Sequence, residues 1–109
     1  MTSEIQAVTT AAELDELFSE SFARPILLFK HSNTCGISLD VFERVSGLIG
    51  DIRLVVVQDD RDISNAIAER LGIRHASPQA FVLWQGKPVY HATHYGIDPA
   101  AIAEKLSSK

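Results

Sequence analysis

Three short, unbroken apolar runs constrain this chain more than any other feature: ILLF (Ile26 to Phe29), LVVV (Leu54 to Val57) and AFVLW (Ala80 to Trp84). They are strand-length, and they lack the apolar–polar alternation of a strand wetted on one face. Rich in branched and aromatic residues, such runs read as strands covered on both faces. The segments between them have another period. Leu14, Leu17, Phe18 and Phe22 recur at helical spacing, and Thr10 with Glu13 has the spacing of a capping box. Ile37, Val41, Val45 and Leu48 form a second stripe, with Asp40, Glu43 and Arg44 on much of the other side. Asp62 is placed to cap a third helix carrying Ile63, Ala66, Ile67 and Leu71, which Gly72 would close. Strands buried on two faces need cover on two faces. The alternation therefore implies an α/β chain whose central sheet has helices on both sides.

Punctuation refines the order. Pro25 disfavours a helical residue before it and so ends the first helix. IQAV (Ile5 to Val8) reads as a short opening strand. Pro78 precedes AFVLW, and Gln85-Gly86-Lys87 turns the chain into PVYH (Pro88 to His91), where Pro88 fits only a strand start or edge. Asp98-Pro99 is an N-cap followed by a proline at the first helical position, with Ile102 and Leu106 facing inward. The order is β-α-β-α-β-α-β-β-α in a mixed sheet. The first strands, joined through helices, are parallel with right-handed crossovers, and the last two form a hairpin. Nothing repeats and nothing resembles a linker, so residues 1–109 are expected to be a single domain.

Composition narrows the function. A net charge of -4 supplies no electrostatic reason to bind nucleic acid or an anionic membrane. No apolar run reaches the roughly 18 residues of a membrane span. The acidic start MTSEIQAVTTAAELDELF does not resemble a secretory signal. A single cysteine cannot make a disulfide framework, which points to a reducing, cytoplasmic setting.

That cysteine, Cys35, falls in KHSNTCGIS, between a buried strand and a helix. A lone thiol is often inert packing. The polar run His31-Ser32-Asn33-Thr34 before it and the strand-to-helix junction argue against burial. A helix start offers unpaired N–H groups and partial positive charge, both of which favour a thiolate. Cysteines in such places titrate well below the free value of about 8.5. Lys30 and His31, a few residues upstream, could add positive potential. Gly36 would leave room beside the sulfur, and Ser38 stands where a Cys-X-X-Cys protein has its second thiol. In this strand order Ser77-Pro78 comes close to the same helix start. X-Pro bonds are mostly trans; a cis bond here would offer the backbone of Ser77 to an extended partner.

The strand, the Cys-X-X-Ser helix start and the proline before the hairpin together resemble a thioredoxin-like domain. More closely, FKHSNTCGIS and HASPQAFVLWQGKPVYHATHYGI resemble the monothiol bacilliredoxins. Lys30, His31, Ser32, Thr34, Cys35, Ile37 and Ser38 match that family's first motif. Ser77, Pro78 and Gln79 match its second, and His91, His94 and Tyr95 its third. One position departs: Gly36 stands where the family has proline. The resemblance implies removal of a low-molecular-weight thiol, bacillithiol or a similar molecule, from S-thiolated proteins. Cys35 would be the catalytic nucleophile, supported by Lys30, His31, Asn33, Thr34, Gly36, Ile37, Ser38, Ser77 and Pro78. The small thiol would be a co-substrate, with no tightly bound cofactor, and the chain a monomer or weak dimer. Thioredoxins have a buried acid six positions before the first cysteine that helps activate the resolving thiol. Here that position is Phe29, consistent with no resolving thiol to activate.

Two other readings compete. Cys-Gly-X-Ser also marks monothiol glutaredoxins, in which Cys35 would hold an iron–sulfur cluster together with small thiols. HATHYGID, however, lacks the Gly-Gly pair those proteins place near glutathione. Alternatively, the groove around Pro78 belongs to a non-enzymatic adaptor in which the thiol idles. A protein metal site is not expected: His91 and His94 are three apart on a strand, and His31 and His75 have no local partner at ligand spacing.

Overall fold

The computed structural model describes residues 4–107. In chain order the elements are β1 (Glu4–Ala7), α1 (Ala11–Glu20), β2 (Ile26–His31), α2 (Gly36–Val45), β3 (Asp51–Val56), α3 (Arg61–Leu71), β4 (Gln79–Trp84), β5 (Lys87–Thr93) and α4 (Pro99–Ser107), with a 3-10 turn at His94–Gly96. The expected order is observed. The strands form one sheet, β1-β3-β2-β4-β5, in which β3 pairs parallel to both β1 and β2, while β4 runs antiparallel to β2 and β5. The hairpin strand β5 ends the sheet, and Pro88 is exposed on it, where a missing N–H is tolerated.

Strand β2 is central, and all six of its residues are buried. Its alternate side chains divide the core. Ile26 and Leu28 join Leu14, Leu17 and Phe18 of α1 and Ile63 and Ile67 of α3 on one face. Leu27 and Phe29 join Val41 and Val45 of α2 and Ile102 of α4 on the other. Each such side chain, moved fully out of water, is worth about 1.5–3 kcal/mol, so the two-sided burial of β2 anchors the layers.

Local signals explain most of the boundaries. Thr10 and Glu13 form the expected capping box. Gly72 closes α3 in the left-handed conformation, φ 69°. Asp98 caps α4 by accepting the N–H of Ala100 at 3.0 Å. Four expectations are corrected. Phe22 is not on the buried stripe: α1 stops at Glu20, the chain turns, and the ring is 62% exposed. Asp62 does not cap α3: the N-cap is Asp60, and Asp62 lies in the first turn. β1 begins and ends one residue earlier than IQAV suggests, because its pairing with β3 ends at Ala7 and Val8 turns into the core. His94 is not on β5. It starts the 3-10 turn with φ 53°, so strand alternation does not govern where it points.

Candidate active site around Cys35

The carboxyl ends of β2 and β3 meet where the parallel ladder runs on past β3, the N–H of Val57 donating to the carbonyl of His31 at 2.9 Å. From there β2 passes through Ser32, Asn33 and Thr34 into α2. Cys35 is the N-cap of α2, in extended conformation, and its side chain makes no cap hydrogen bond. The thiol is half-buried. The sulfur therefore stands at the helix mouth without being consumed by the helix, where its partial charge favours an anion. A Cβ placed on Gly36 would meet nothing within 4 Å, so the space beside Cys35 is open, as expected.

Ser38 is buried, and its hydroxyl is fully engaged. Its oxygen accepts the N–H of Ser32 at 2.9 Å and lies 2.8 Å from Nδ1 of His31. A hydroxyl has one proton and two lone pairs, so this contact forms with either neutral tautomer of His31. Burial lowers the His31 pKa and favours the neutral ring at neutral pH. Its ring packs 5.2 Å from Phe42, and Phe42 lies 5.6 Å from Phe29. The position three after Cys35 is thus a structural pin between β2 and α2.

Lys30, one residue before His31, points the other way. It is completely buried on the α1/α3 face, its Nζ donating to the carbonyl of Ser64 at 3.0 Å and lying 3.3 Å from Nδ1 of His75. The hydroxyl of Ser64 lies 3.1 Å from the same nitrogen. Burial pulls the Lys30 pKa down to about 8. Burial, then the charges of Lys30 and Arg61, lower that of His75. The structure therefore separates Lys30 from the Cys35 side of the sheet, because successive strand residues face opposite ways.

The segment before β4 flanks the site. Gln79 pairs with Lys30, which sets the buried Pro78 beside the end of β2. The Ser77–Pro78 bond is cis. The carbonyl of Pro78 accepts the N–H of His94 at 3.0 Å, tying this segment to the 3-10 turn. Gln79 is buried and holds the segment from within, accepting from the N–H of Ala76 and donating to the carbonyl of Arg74 and to Nε2 of His91.

Of the candidate residues, Cys35, Gly36, Ile37 and Ser38 share the start of α2. His31 reaches Ser38, Asn33 and Thr34 lie exposed on the approach, and Ser77 and Pro78 stand at the same sheet end. Two neighbours lie outside those candidates: Tyr95, placed by sequence only in the third motif, and Gln58. Tyr95 donates its hydroxyl to Asp40, which raises its pKa, and it lies within electrostatic reach of Cys35. Arg44, paired with Asp40 at 3.1 Å, stands 5.5 Å over its ring. Gln58 binds Ser32, Asn33 and Thr34. The available signal for Gln58 was its place just past the carboxyl end of a buried strand, where α/β sheets gather their sites. Among the described residues no three of His, Cys, Asp or Glu converge as metal ligands.

The profile of the monothiol bacilliredoxin BrxC family matches residues 6–102. The chain belongs to the monothiol bacilliredoxin family. Solved structures agree on the fold. A protein with a thioredoxin fold superposes with a TM-score of 0.84 at 25% identity, over 93% of this chain and 92% of its own. A thioredoxin variant from Halobacterium salinarum gives 0.72 at 18% identity, over 96% and 89%. A thioredoxin from Nicotiana alata gives 0.69 at 19% identity, over 97% and 92%. This bacilliredoxin-family chain is a thioredoxin-fold thiol redox protein. Within the described residues no helix is long and apolar enough to cross a membrane.

Proposed function

We propose that this protein removes a low-molecular-weight thiol of the bacillithiol type from S-thiolated proteins, using Cys35 alone as its redox-active group. The observation that carries the reading is the pair Cys35 and Ser38. The first is a half-buried thiol at a helix mouth, and the second is a hydroxyl already held by the N–H of Ser32 and by His31. The Cys35 thiolate attacks the small-thiol sulfur of the mixed disulfide. That disulfide breaks, the substrate protein leaves as a thiolate and takes up a proton from water, and Cys35 becomes disulfide-linked to the small thiol. A second small-thiol anion attacks the small-thiol sulfur of this adduct, freeing Cys35 and forming the oxidised small-thiol dimer. Ser38 has no part in resolution, since a hydroxyl is no useful nucleophile toward sulfur and this one is already engaged by Ser32 and His31. The open space at Gly36 admits the incoming disulfide, and the exposed Asn33 and Thr34 line its approach. The setting such chemistry requires is a reducing cytosol that supplies the small thiol.

The test is mass spectrometry of the reduced protein after treatment with oxidised bacillithiol at neutral pH. One adduct is expected on the wild type and none on Cys35→Ser. A wild type that stays unmodified overturns the proposal. If the protein turns brown on anaerobic reconstitution with iron, sulfide and small thiol, the cluster-binding reading takes its place.

A further inference from the structure

The loop between β2 and α2 has little to hold it. Asn33 and Thr34 are exposed, and the turn bond from Cys35 N–H to the Ser32 carbonyl is long, 3.5 Å. Ser38 fixes the loop at Ser32 from the α2 side. From the other side comes one side chain. Gln58, the first residue after Val57 closes the ladder with His31, lays its carboxamide along the whole loop. Its Oε1 accepts the N–H of Asn33 at 3.1 Å, and its Nε2 donates to the hydroxyls of Ser32 at 2.7 Å and Thr34 at 3.1 Å. The orientation of the amide follows from chemistry. A main-chain N–H only donates, so the oxygen must face Asn33, and the two amine protons then match two hydroxyl oxygens.

We infer that Gln58 is a positioning residue for Cys35: its three hydrogen bonds hold Ser32, Asn33 and Thr34 so that the sulfur stays at the mouth of α2. The residue type suits the task. One planar group must offer an acceptor and two donors, and it must do so without charge. The next residues are acidic, Asp59, Asp60 and Asp62, and a carboxylate at position 58 would bring that negative charge up to the loop of an attacking thiolate. The inference rests on the reading of Cys35 as the nucleophile, but its test does not depend on which small thiol is used.

The experiment compares wild type, Gln58→Met and Gln58→Glu in three ways. The rate of Cys35 alkylation by iodoacetamide is followed against pH, hydrogen exchange is read at the Asn33 amide, and urea unfolding checks the fold. Gln58→Met keeps the shape and removes every bond, so alkylation at pH 7 slows roughly tenfold, as expected for a displaced reacting group. Its Asn33 amide exchanges at least several-fold faster, on the order expected for a loop released to local opening. Gln58→Glu still accepts from Asn33, so that amide stays protected while the midpoint of the alkylation profile moves to higher pH. Transfer from a bacillithiolated peptide is then followed in the same variants, with a lowered kcat and little change in KM expected for Gln58→Met. If both variants keep the wild-type profile and exchange rate, the inference falls. A wild type that alkylates normally but moves no small thiol from the peptide counts against the function proposed above and leaves the Gln58 comparison standing.

Discussion

Lys30 and His31 are neighbours in sequence and occupy opposite faces of the same strand. On the α3 side the ammonium of Lys30 is shut away against two neutral groups, the Ser64 carbonyl and the His75 ring, and its pKa falls to about 8. On the α2 side the Ser38 hydroxyl accepts the N–H of Ser32 and bonds Nδ1 of His31, and burial favours the neutral imidazole. The first environment holds a charge at the expense of stability. The second satisfies neutral groups and fixes the start of the helix that bears the thiol. The difference teaches that a motif written as a continuous string, Lys-His-Ser, is two devices once a strand splits it.

Lys30→Met breaks this comparison most severely. The folded pKa, about 8, lies below the ordinary 10.5. The folded state therefore binds fewer protons than the unfolded chain between those values, and wild-type stability rises as pH climbs through that window. Below pH 8 the penalty is present in full, of order 3 kcal/mol at most. Removing the charge should raise stability at pH 7 by about 1–3 kcal/mol, some of the gain being offset by the lost bond to Ser64. Urea unfolding from pH 7 to 10 checks it. The variant should lack the wild type's climb above pH 8, and its Cys35 should alkylate within about twofold of wild type, since the two faces are separate. An equal climb in both proteins, or a large loss of thiol reactivity, would show that the faces are not independent.

Ser38→Ala sharpens the other side. It strands the buried N–H of Ser32 and removes the hydrogen-bond partner of Nδ1 of His31, so a loss of about 1–3 kcal/mol is expected in urea unfolding. The dependence on acid should survive in the variant. Burial holds the His31 pKa below 6.5, so His31 resists protonation while folded, and stability falls as pH drops from 6.5 through the folded value. Because burial and not the hydroxyl sets that shift, wild type and variant should lose stability in parallel between pH 7 and 5. A flattened curve in the variant would contradict this account.

The smallest effect is expected at Gly36, the first residue of α2, where a side chain would meet open space. Proline suits a first helical position, whose N–H has no partner within the helix. Gly36→Pro should add about 0.4–1 kcal/mol by restricting the unfolded chain. A thermal melt checks it, and a lowered midpoint would mean that the helix start needs glycine.

The legible parts of the molecule were those written in local pattern. The buried strands, the helix starts at Thr10 and Asp98, the Gly72 stop and the junction at Cys35 follow from period and capping, which depend on nearest neighbours in the chain. Phe22 was misplaced because a stripe continues on paper after the backbone has turned. Asp62 was misplaced because the turn after β3 starts the helix at Asp60, two residues earlier. The family motif pointed to Lys30 as a helper of the thiol, but strand alternation sends it to the other face.

Sequence alone determined the order of elements and the single thiol at a strand-to-helix junction, since apolar period and the count of cysteines are properties of the chain itself. Tertiary structure decided what surrounds that thiol. Gln58 braces the loop before it, Tyr95 comes within its electrostatic reach from the turn after β5, and Lys30 faces away from it. Such neighbours are set by strand pairing and by which face a side chain takes, relations that exist only after distant segments have met.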